Sequence, residues 1–253
     1  AGIRGITGDG QESTVFQFDI SSGVALEVQS YYTRAISLEK FSISLKDQTK
    51  TSSGLKVSFG GTGAWGGGVN TEEFNIVSFT GTVIELVEAF NCNFQTGEFR
   101  GGRQGGVNVA KLLKSSYTSS FGGCNTFNNC VFHIGKIGFQ NFGGTAYYFF
   151  TCTFEDLSLF LNVKQLAGLS MYGNFESCWF ENIQKGIINA EINETTLEPI
   201  SPVTAKAILS RITFSGNMTS QGVADPFLNQ TVEPYYYNQF RVDTGIKYSY
   251  ETR

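Results

Sequence analysis

The strongest constraint on the fold is a six-residue pattern, aromatic-x-x-Cys-x-Phe, that recurs along the chain. Clear copies occupy residues 127–132, 149–154 and 175–180, and a weaker copy occupies residues 89–94. The cysteines of the three clear copies, Cys130, Cys152 and Cys178, are 22 and 26 residues apart. Variants without cysteine lie at residues 38–43, 74–79 and 209–214. Recurrence with this period indicates a solenoid in which each repeat forms one coil.

Within each copy, apolar residues at every second position mark a strand with one buried face. Equivalent residues of successive coils would then lie about 4.8 Å apart, with Phe and Cys stacked along the axis. Cys is a small apolar filler beside bulky Phe. The chain has 23 Phe and 30 Gly but only 16% charged residues, which is typical of a turn-rich all-β protein. The sequence therefore predicts an all-β parallel β-helix of roughly ten coils.

The chain is expected to hold one β-helix domain over residues 1–225. Residues 226–253 are predicted to form a C-terminal tail that caps the last coil or contacts a neighbouring subunit, because an uncapped solenoid end exposes unpaired strand edges. Glycine-rich stretches at residues 60–70 and 101–108 are predicted to be protruding loops. Residues 107–120 are expected to hold a short helix or another loop. The tyrosines at 235–237 are expected to pack at a subunit interface or end cap, or to bind sugar.

Charge and composition argue against several partners. The net charge is −4, and the 18 basic residues are scattered, whereas nucleic-acid surfaces need clustered Lys and Arg. No apolar stretch approaches the ~20 residues of a transmembrane helix, so membrane insertion is not expected. With a single histidine and no zinc-type spacing, no metal or cofactor is expected. The odd number of cysteines, five, fits reduced thiols buried in a core.

The opening segment from Ile6 through Gly8, Gly10 and Thr14 to Phe16 resembles the first coil of the pectate-lyase-like superfamily found in phage tailspikes. The resemblance covers roughly residues 5–220 and implies a right-handed parallel β-helix. It also implies a homotrimer in the virion tail, made in the bacterial host cytoplasm, whose partner is a bacterial surface polysaccharide. The short capping helix that usually precedes this coil is missing, so we expect a fragment of a longer protein. The catalytic motifs of polygalacturonases and pectate lyases are not present, so we do not expect the protein to cleave pectin.

Alignment of the copies on cysteine places Gln95, His133, Glu155 and Glu181 at one equivalent position, three residues after the cysteine. Since Cys and Phe point inward, this position is expected to face outward. Strand spacing would hold Glu155 and Glu181 about 5 Å apart on neighbouring coils. Retaining glycosidases use two carboxyl groups at about 5–5.5 Å. Glu155 and Glu181 are therefore the candidate catalytic pair, and His133 is a candidate substrate-binding residue.

The outward position between Cys and Phe gives a second column of Asn93, Val131, Thr153 and Trp179. Trp179 can stack on a sugar ring beside a working carboxylate. Asp156 and Glu176 flank the same region and are further substrate-binding candidates. Exposed Glu and His residues are also common on an ordinary solvated surface, and this interpretation stays open.

Three functional hypotheses remain at this point. The first is a tailspike or tail-fibre domain that binds bacterial capsule or lipopolysaccharide, with or without hydrolysis as an endo-glycosidase. The second is a non-enzymatic structural or adhesive shaft. The third is a cellular polysaccharide lyase or epimerase, which usually needs a Ca²⁺ carboxylate cluster or a Lys or Arg base. The sequence contains no dense acidic cluster, so the third hypothesis ranks last.

Overall fold

The structure is a computed structural model that describes residues 5–30, 35–59, 68–117, 124–142, 145–164, 172–189, 191–200, 211–215, 218–221, 240–242 and 247–248. Every regular element within these ranges is a β-strand. The first strands are β1 Gly5–Thr7, β2 Val15–Phe18, β3 Val24–Ser30, β4 Ile36–Leu45, β5 Ser53–Phe59, β6 Val69–Phe79, β7 Thr82–Val87, β8 Asn93–Gln95 and β9 Glu98–Gly101. The next are β10 Arg103–Gln104, β11 Val107–Asn108, β12 Lys111–Ser116, β13 Cys124–Asn128, β14 Val131–Phe142, β15 Ala146–Phe150, β16 Thr153–Lys164, β17 Tyr172–Glu176 and β18 Trp179–Ile183. The last are β19 Ile187–Asn189, β20 Ile192–Asn193, β21 Glu198–Pro199, β22 Arg211–Ser215, β23 Met218–Gln221, β24 Phe240–Val242 and β25 Lys247–Tyr248.

Parallel pairing between successive coils builds three faces. The first face contains β1, the beginnings of β4 and β6, and then β8, β13, β15, β17 and β22. The second face contains β2, the later parts of β4 and β6, β9, the beginnings of β14 and β16, β18 and β23. The third face contains β3, β5, β7, β12, the ends of β14 and β16, and β19. This architecture is an all-β parallel β-helix, which confirms the predicted fold class.

Inward phenylalanines form two stacks along the axis. Behind the first face, successive ring centroids lie 4.6, 5.0 and 4.7 Å apart with planes within 10° of parallel, in the order Phe94, Phe127, Phe149, Phe175. Behind the second face, the corresponding distances are 5.1, 5.1 and 5.4 Å, in the order Phe99, Phe132, Phe154, Phe180. These distances follow the spacing of neighbouring strands, so each coil buries the aromatic rings of the next.

The three cysteines of the clear copies also form an inward stack. Cys130, Cys152 and Cys178 are buried and unpaired by disulfides, which confirms their predicted role in core packing. Each thiol contacts a carbonyl oxygen of the preceding coil, at 3.6, 3.4 and 3.5 Å respectively. Burial raises the pKa of the Cys152 thiol, which keeps it protonated and unreactive.

Two corners of the coil repeat a left-handed backbone conformation. Before the cysteine position, φ lies between 50° and 57° at residues that include no glycine: Lys40, Glu73, Thr96, Asn129, Thr151 and Ser177. After the second face, φ lies between 50° and 69° at Ser78, Ile134, Asp156 and Asn182. Left-handed geometry is unfavourable for L-residues, and here the pairing on both sides of each corner imposes it.

A short hairpin covers part of the third face. Strands β20 and β21 pair antiparallel, and their Ile192 and Leu197 pack on the buried side chains of Ile137 and Leu159. The Lys185 ammonium donates to the Leu197 carbonyl at 3.1 Å and fixes the hairpin to the coil. This part of the third face is therefore closed to a polymeric ligand.

Several predicted registers are wrong. Phe94 stacks on Phe127, so Gly97 lies in the cysteine column where the alignment placed Cys92. Phe74 pairs with Phe41 and Phe214 pairs with Phe175, so the variant copies at 74–79 and 209–214 are shifted relative to the clear copies. These alignment errors arise because both inward columns carry phenylalanine. A phenylalanine that belongs to one column can therefore be aligned with the other column.

The helix considered for residues 107–120 does not form over residues 111–116. These residues form strand β12, because β7 and β14 flank it in parallel register. The glycine-rich loop at residues 101–108 is the hairpin β10–β11, whereas residues 60–67 of the other loop lie outside the described residues, as do the tyrosines at 235–237. In the tail, β24 pairs in parallel with β23 and antiparallel with β25. The boundary at 225, the right-handed sense and the number of coils stay predictions.

Candidate functional site

Four charged or titratable side chains follow one another along the second face, and are called the charged ladder below. In-register pairing places Arg100 next to His133, His133 next to Glu155, and Glu155 next to Glu181. Each step crosses one strand spacing of about 4.8 Å, so the ladder is about 14 Å long. It has a basic end at Arg100 and an acidic end at Glu181. The predicted juxtaposition of His133, Glu155 and Glu181 is therefore present in the fold.

The two carboxylates of the ladder differ in their contacts. The Trp179 indole N–H donates to Glu181 Oε2 at 3.0 Å, which orients this carboxylate and holds the indole beside it. The Glu155 carboxylate makes no hydrogen bond or ion pair to another part of the described chain. Both side chains are partly exposed. The arrangement thus offers one oriented anionic acceptor and, on the neighbouring strand, one carboxyl group that a ligand can approach.

At the basic end of the ladder, Glu98 contacts both His133 and Arg100. His133 Nε2 lies 2.7 Å from Glu98 Oε1, and Arg100 Nε lies 3.7 Å from the same oxygen. The hydrogen bond with His133, followed by the charges of His133 and Arg100, lowers the pKa of Glu98 despite its partial burial. Glu98 therefore holds the imidazole in one orientation, with Nε2 directed at this carboxylate.

Small residues separate the two ends of the site. A second column runs beside the ladder in the order Glu98, Val131, Thr153, Trp179. The short side chains of Val131 and Thr153 lie between the large Trp179 at one end and the Glu98–His133 pair at the other. A bound sugar ring can rest on this low stretch with Glu155 at its side, because the interval spans about two strand spacings, near 10 Å.

Asp156 lies at the corner that bounds the ladder. Its carboxylate accepts from Asn182 Nδ2 at 3.2 Å and lies 3.8 Å from Arg103 Nη2. Its backbone carbonyl accepts from Asn108 Nδ2 at 2.7 Å. Arg103 and Asn108 pair in the hairpin β10–β11, and the Arg103 backbone amide also donates to Gln48 Oε1 at 3.0 Å. The hairpin therefore forms a wall along the corner, and Asp156 anchors it.

Glu176 lies on a different face from the other candidates. It pairs with Phe150 on the first face, and the left-handed corner at Ser177 separates it from Trp179 on the second face. The structure thus brings together His133, Glu155, Glu181 and Trp179, places Asp156 at the bounding corner, and separates Glu176 from them.

The sequence alignment assigned two positions of this site to the wrong residues. Gln95 pairs with Asn128 and Asn93 pairs with Thr126, so both lie on the first face. Their expected positions on the second face are held by Arg100 and Glu98. The signal that identifies the correct register is a pair of phenylalanines five residues apart, 94 and 99, which matches the pair at 127 and 132.

Within the described ranges, no group of three or more His, Cys, Asp or Glu side chains is placed to hold a metal ion. No helix of that part of the chain is long and apolar enough to cross a membrane.

Comparison with known proteins identifies no similar protein. No protein-family model matches the chain, and neither a curated protein nor a solved structure matches it significantly.

Proposed function

We propose that this β-helix is a phage tailspike or tail-fibre domain of the pectate-lyase-like type, which binds and hydrolyses a bacterial capsule or lipopolysaccharide on its second face. The observation that carries the proposal is the in-register pairing of Glu155 with Glu181 beside Trp179. The motif of the first coil, from Ile6 to Phe16, supports the assignment to this type. The proposal includes a homotrimer in the virion tail.

The contacts of the two carboxylates suggest their roles in a retaining hydrolysis. The Trp179 indole N–H donates to Glu181 Oε2 and orients this carboxyl group, so Glu181 suits the nucleophile that attacks the anomeric carbon. Glu155 suits the acid that protonates the departing glycosidic oxygen, which leaves a covalent glycosyl ester on Glu181. Glu155 then takes a proton from water, and the resulting attack on the anomeric carbon releases Glu181 and the shortened chain.

The neighbouring residues would position the polymer. Trp179 supplies an aromatic surface for the sugar ring on one side of the cleaved bond. Arg100 and His133 are placed to donate hydrogen bonds to sugar oxygens farther along the ladder. The wall formed by β10–β11 limits the approach of the polymer to one side of the ladder.

The first test is incubation of the protein with a panel of purified capsules and lipopolysaccharides, followed by size-exclusion chromatography. Shortening of one polymer is expected, and Glu155→Gln and Glu181→Gln should each slow it by at least about 10²-fold, the usual minimum for a catalytic acid or base. Glu27→Gln is the matched control, because this exposed carboxylate pairs with Lys56 on the third face. The control should cut at the unmodified rate.

Product stereochemistry gives a second readout. Proton NMR during the reaction should show the anomeric configuration retained in the first product formed. Inversion would contradict the assignment of Glu181 as nucleophile, and cleavage that survives both Gln variants would contradict the site. If the immobilised protein binds a polymer but does not cleave it, the protein is a binding domain. If it binds none of the polymers in the panel, the hypothesis of a structural shaft is favoured.

A further inference from the structure

The first face carries an unusual row of outward side chains, called the amide face below. Its strands alternate buried and outward residues, and at two successive outward positions most of the coils from β6 to β17 carry polar side chains. They are Asn70, Glu72, Asn93, Gln95, Thr126, Asn128, Asn174 and Glu176. One coil differs, because β15 places Tyr148 and Phe150 at these two positions. The two aromatic side chains are called the aromatic rung.

The geometry of the aromatic rung makes it one continuous apolar surface. The ring centroids of Tyr148 and Phe150 are 6.2 Å apart, and their planes are within 12° of parallel. Both side chains are partly exposed, while the alternate residues Tyr147 and Phe149 are fully buried. The rung is therefore not part of the core, whose aromatic stack Phe149 already supplies.

Polar groups with free hydrogen-bonding capacity surround the rung. In-register pairing places Thr126 and Asn128 on one side, and Asn174 and Glu176 on the other. The Tyr148 hydroxyl, the Asn174 amide and the Glu176 carboxylate have no side-chain hydrogen bond or ion pair to any described residue. Single exposed aromatics are common on protein surfaces. Two adjacent rings bordered on one side by the unpaired Asn174 amide and Glu176 carboxylate match what a sugar presents, which is an apolar ring face bordered by hydroxyl groups.

Charge narrows the class of ligand. Among the eight residues named for the amide face, Glu72 and Glu176 are acidic and none is Lys or Arg. A uronate, sialate or phosphorylated sugar on the rung would be repelled by the Glu176 carboxylate, because none of the described residues paired with the rung (Thr126, Asn128, Asn174 and Glu176) is a cation. An uncharged hexose avoids this repulsion, and its hydroxyl groups can donate to Glu176.

We propose that the aromatic rung is a second, non-catalytic saccharide-binding site, which holds an uncharged stretch of the polysaccharide. This inference rests on the proposed function for its polymer, but the site lies on another face than the charged ladder, around the corner at Ser177. The rung anchors the polymer while the ladder cuts or holds a separate stretch. Binding at two faces raises the apparent affinity for a long chain above that for a short one.

The test uses surface plasmon resonance with two immobilised probes, a purified lipopolysaccharide whose O-chain is uncharged and a capsule rich in uronic acid. The panel that tests cleavage supplies both. Tyr148→Ala and Phe150→Ala should each weaken binding to the uncharged chain by about tenfold, the loss expected when one aromatic contact is removed. Tyr148→Phe should weaken binding much less, because it keeps the ring. Phe16→Ala is the control, since Phe16 is a half-exposed aromatic residue of the first coil.

The outcomes separate this site from the catalytic proposal. If Tyr148→Ala and Phe150→Ala bind the uncharged chain as tightly as the unmodified protein does, the rung is not a saccharide-binding site. The same conclusion follows if the protein prefers the uronic-acid capsule or binds no uncharged chain. Cleavage rates of the rung variants at saturating polymer should stay within about twofold, since the rung touches no reacting atom. If Glu155→Gln still cleaves the polymer, the ladder is not the catalytic site, and the binding measurements alone then decide whether the rung binds saccharide. Unchanged circular dichroism of each variant shows that the fold is intact, which is expected because the substituted side chains point outward.

Discussion

The coils between Asn93 and Ile183 and the first coil use phenylalanine in different ways. In the former, Phe149 lies between two parallel rings, Phe127 at 5.0 Å and Phe175 at 4.7 Å, and none of the three is exposed. In the first coil, Phe16 contacts Phe41 alone among the described aromatic rings, edge to face at 5.5 Å, and remains 46% exposed. The same residue type therefore contributes a two-sided core contact in one region and a one-sided surface contact in the other.

The difference follows from the one-dimensional order of a solenoid. A strand in the middle has neighbours on both sides, whereas β2 pairs only with β4 among the described strands. Because each coil is buried by its neighbours, the interior gains roughly twice the contact area per coil that the end gains.

The largest expected effect is the removal of a central ring. Phe149→Ala should lower the free energy of unfolding by about 3–5 kcal/mol, because it removes buried area and leaves a cavity between two rings. Phe16→Ala should lower it by less than about 1 kcal/mol, because the ring is half exposed and little cavity remains. Urea unfolding followed by far-UV circular dichroism measures both. If the two variants lost similar amounts of free energy of unfolding, ring stacking on two sides would contribute no more to stability than contact on one side.

A smaller effect is expected where the regular column is interrupted. Gly97 holds the position that Cys130, Cys152 and Cys178 hold in later coils, and a Cβ there would lie 2.7 Å from the Phe74 carbonyl oxygen and 2.8 Å from the Phe99 ring. Gly97→Cys should therefore destabilise the protein by about 1–3 kcal/mol through overpacking, although it restores the repeat. Cys152→Ala, which only removes one sulfur, should cost less in the same unfolding assay. A stabilised Gly97→Cys protein would contradict the described register of this coil.

The fold and the register of the later coils could be predicted from the sequence because three copies repeat the same residues at short intervals. That regularity placed His133, Glu155 and Glu181 in one column, as the pairing of β14, β16 and β18 shows. The register failed where Gly97 replaces cysteine, so Arg100 and Glu98 were missed. A motif anchored on cysteine could not recognise a coil that has none, whereas one anchored on the two phenylalanines could.

The aromatic rung was hidden for another reason. Residues 147–150 are all aromatic, so the alternation of apolar and polar residues that marks a half-buried strand is missing there. The corners were hidden as well, because Lys40 and Glu73 adopt left-handed geometry that their residue types do not favour. The motif at residues 149–154 places Phe149 inward, but only the pairing of neighbouring coils shows that Tyr148 and Phe150 lie between polar residues, and which residues turn the corners.

The smallest expected effect compares one carboxylate pair from each region. Glu98 is half-buried and bonded to His133, which lowers its pKa, whereas Asp19 of the first coil is bonded to Lys50 at 2.5 Å in open solvent, which also lowers its pKa. A carboxylate with a lowered pKa in the folded state stabilises the protein above its unfolded pKa, about 4.3 for Glu. This stabilisation is lost as the pH falls through the lower, folded pKa, because protonation then costs the native state its ion pair.

The measurement is the urea midpoint between pH 6 and pH 3 for the unmodified protein, Glu98→Gln and Asp19→Asn. Glu98→Gln should show the shallower decline toward acid, since it no longer has a carboxylate to protonate at this position. Asp19→Asn should differ less from the unmodified protein, because solvent screens an exposed pair. If the urea midpoint of Glu98→Gln falls toward acid as steeply as that of the unmodified protein, the Glu98–His133 contact does not contribute to the free energy of unfolding.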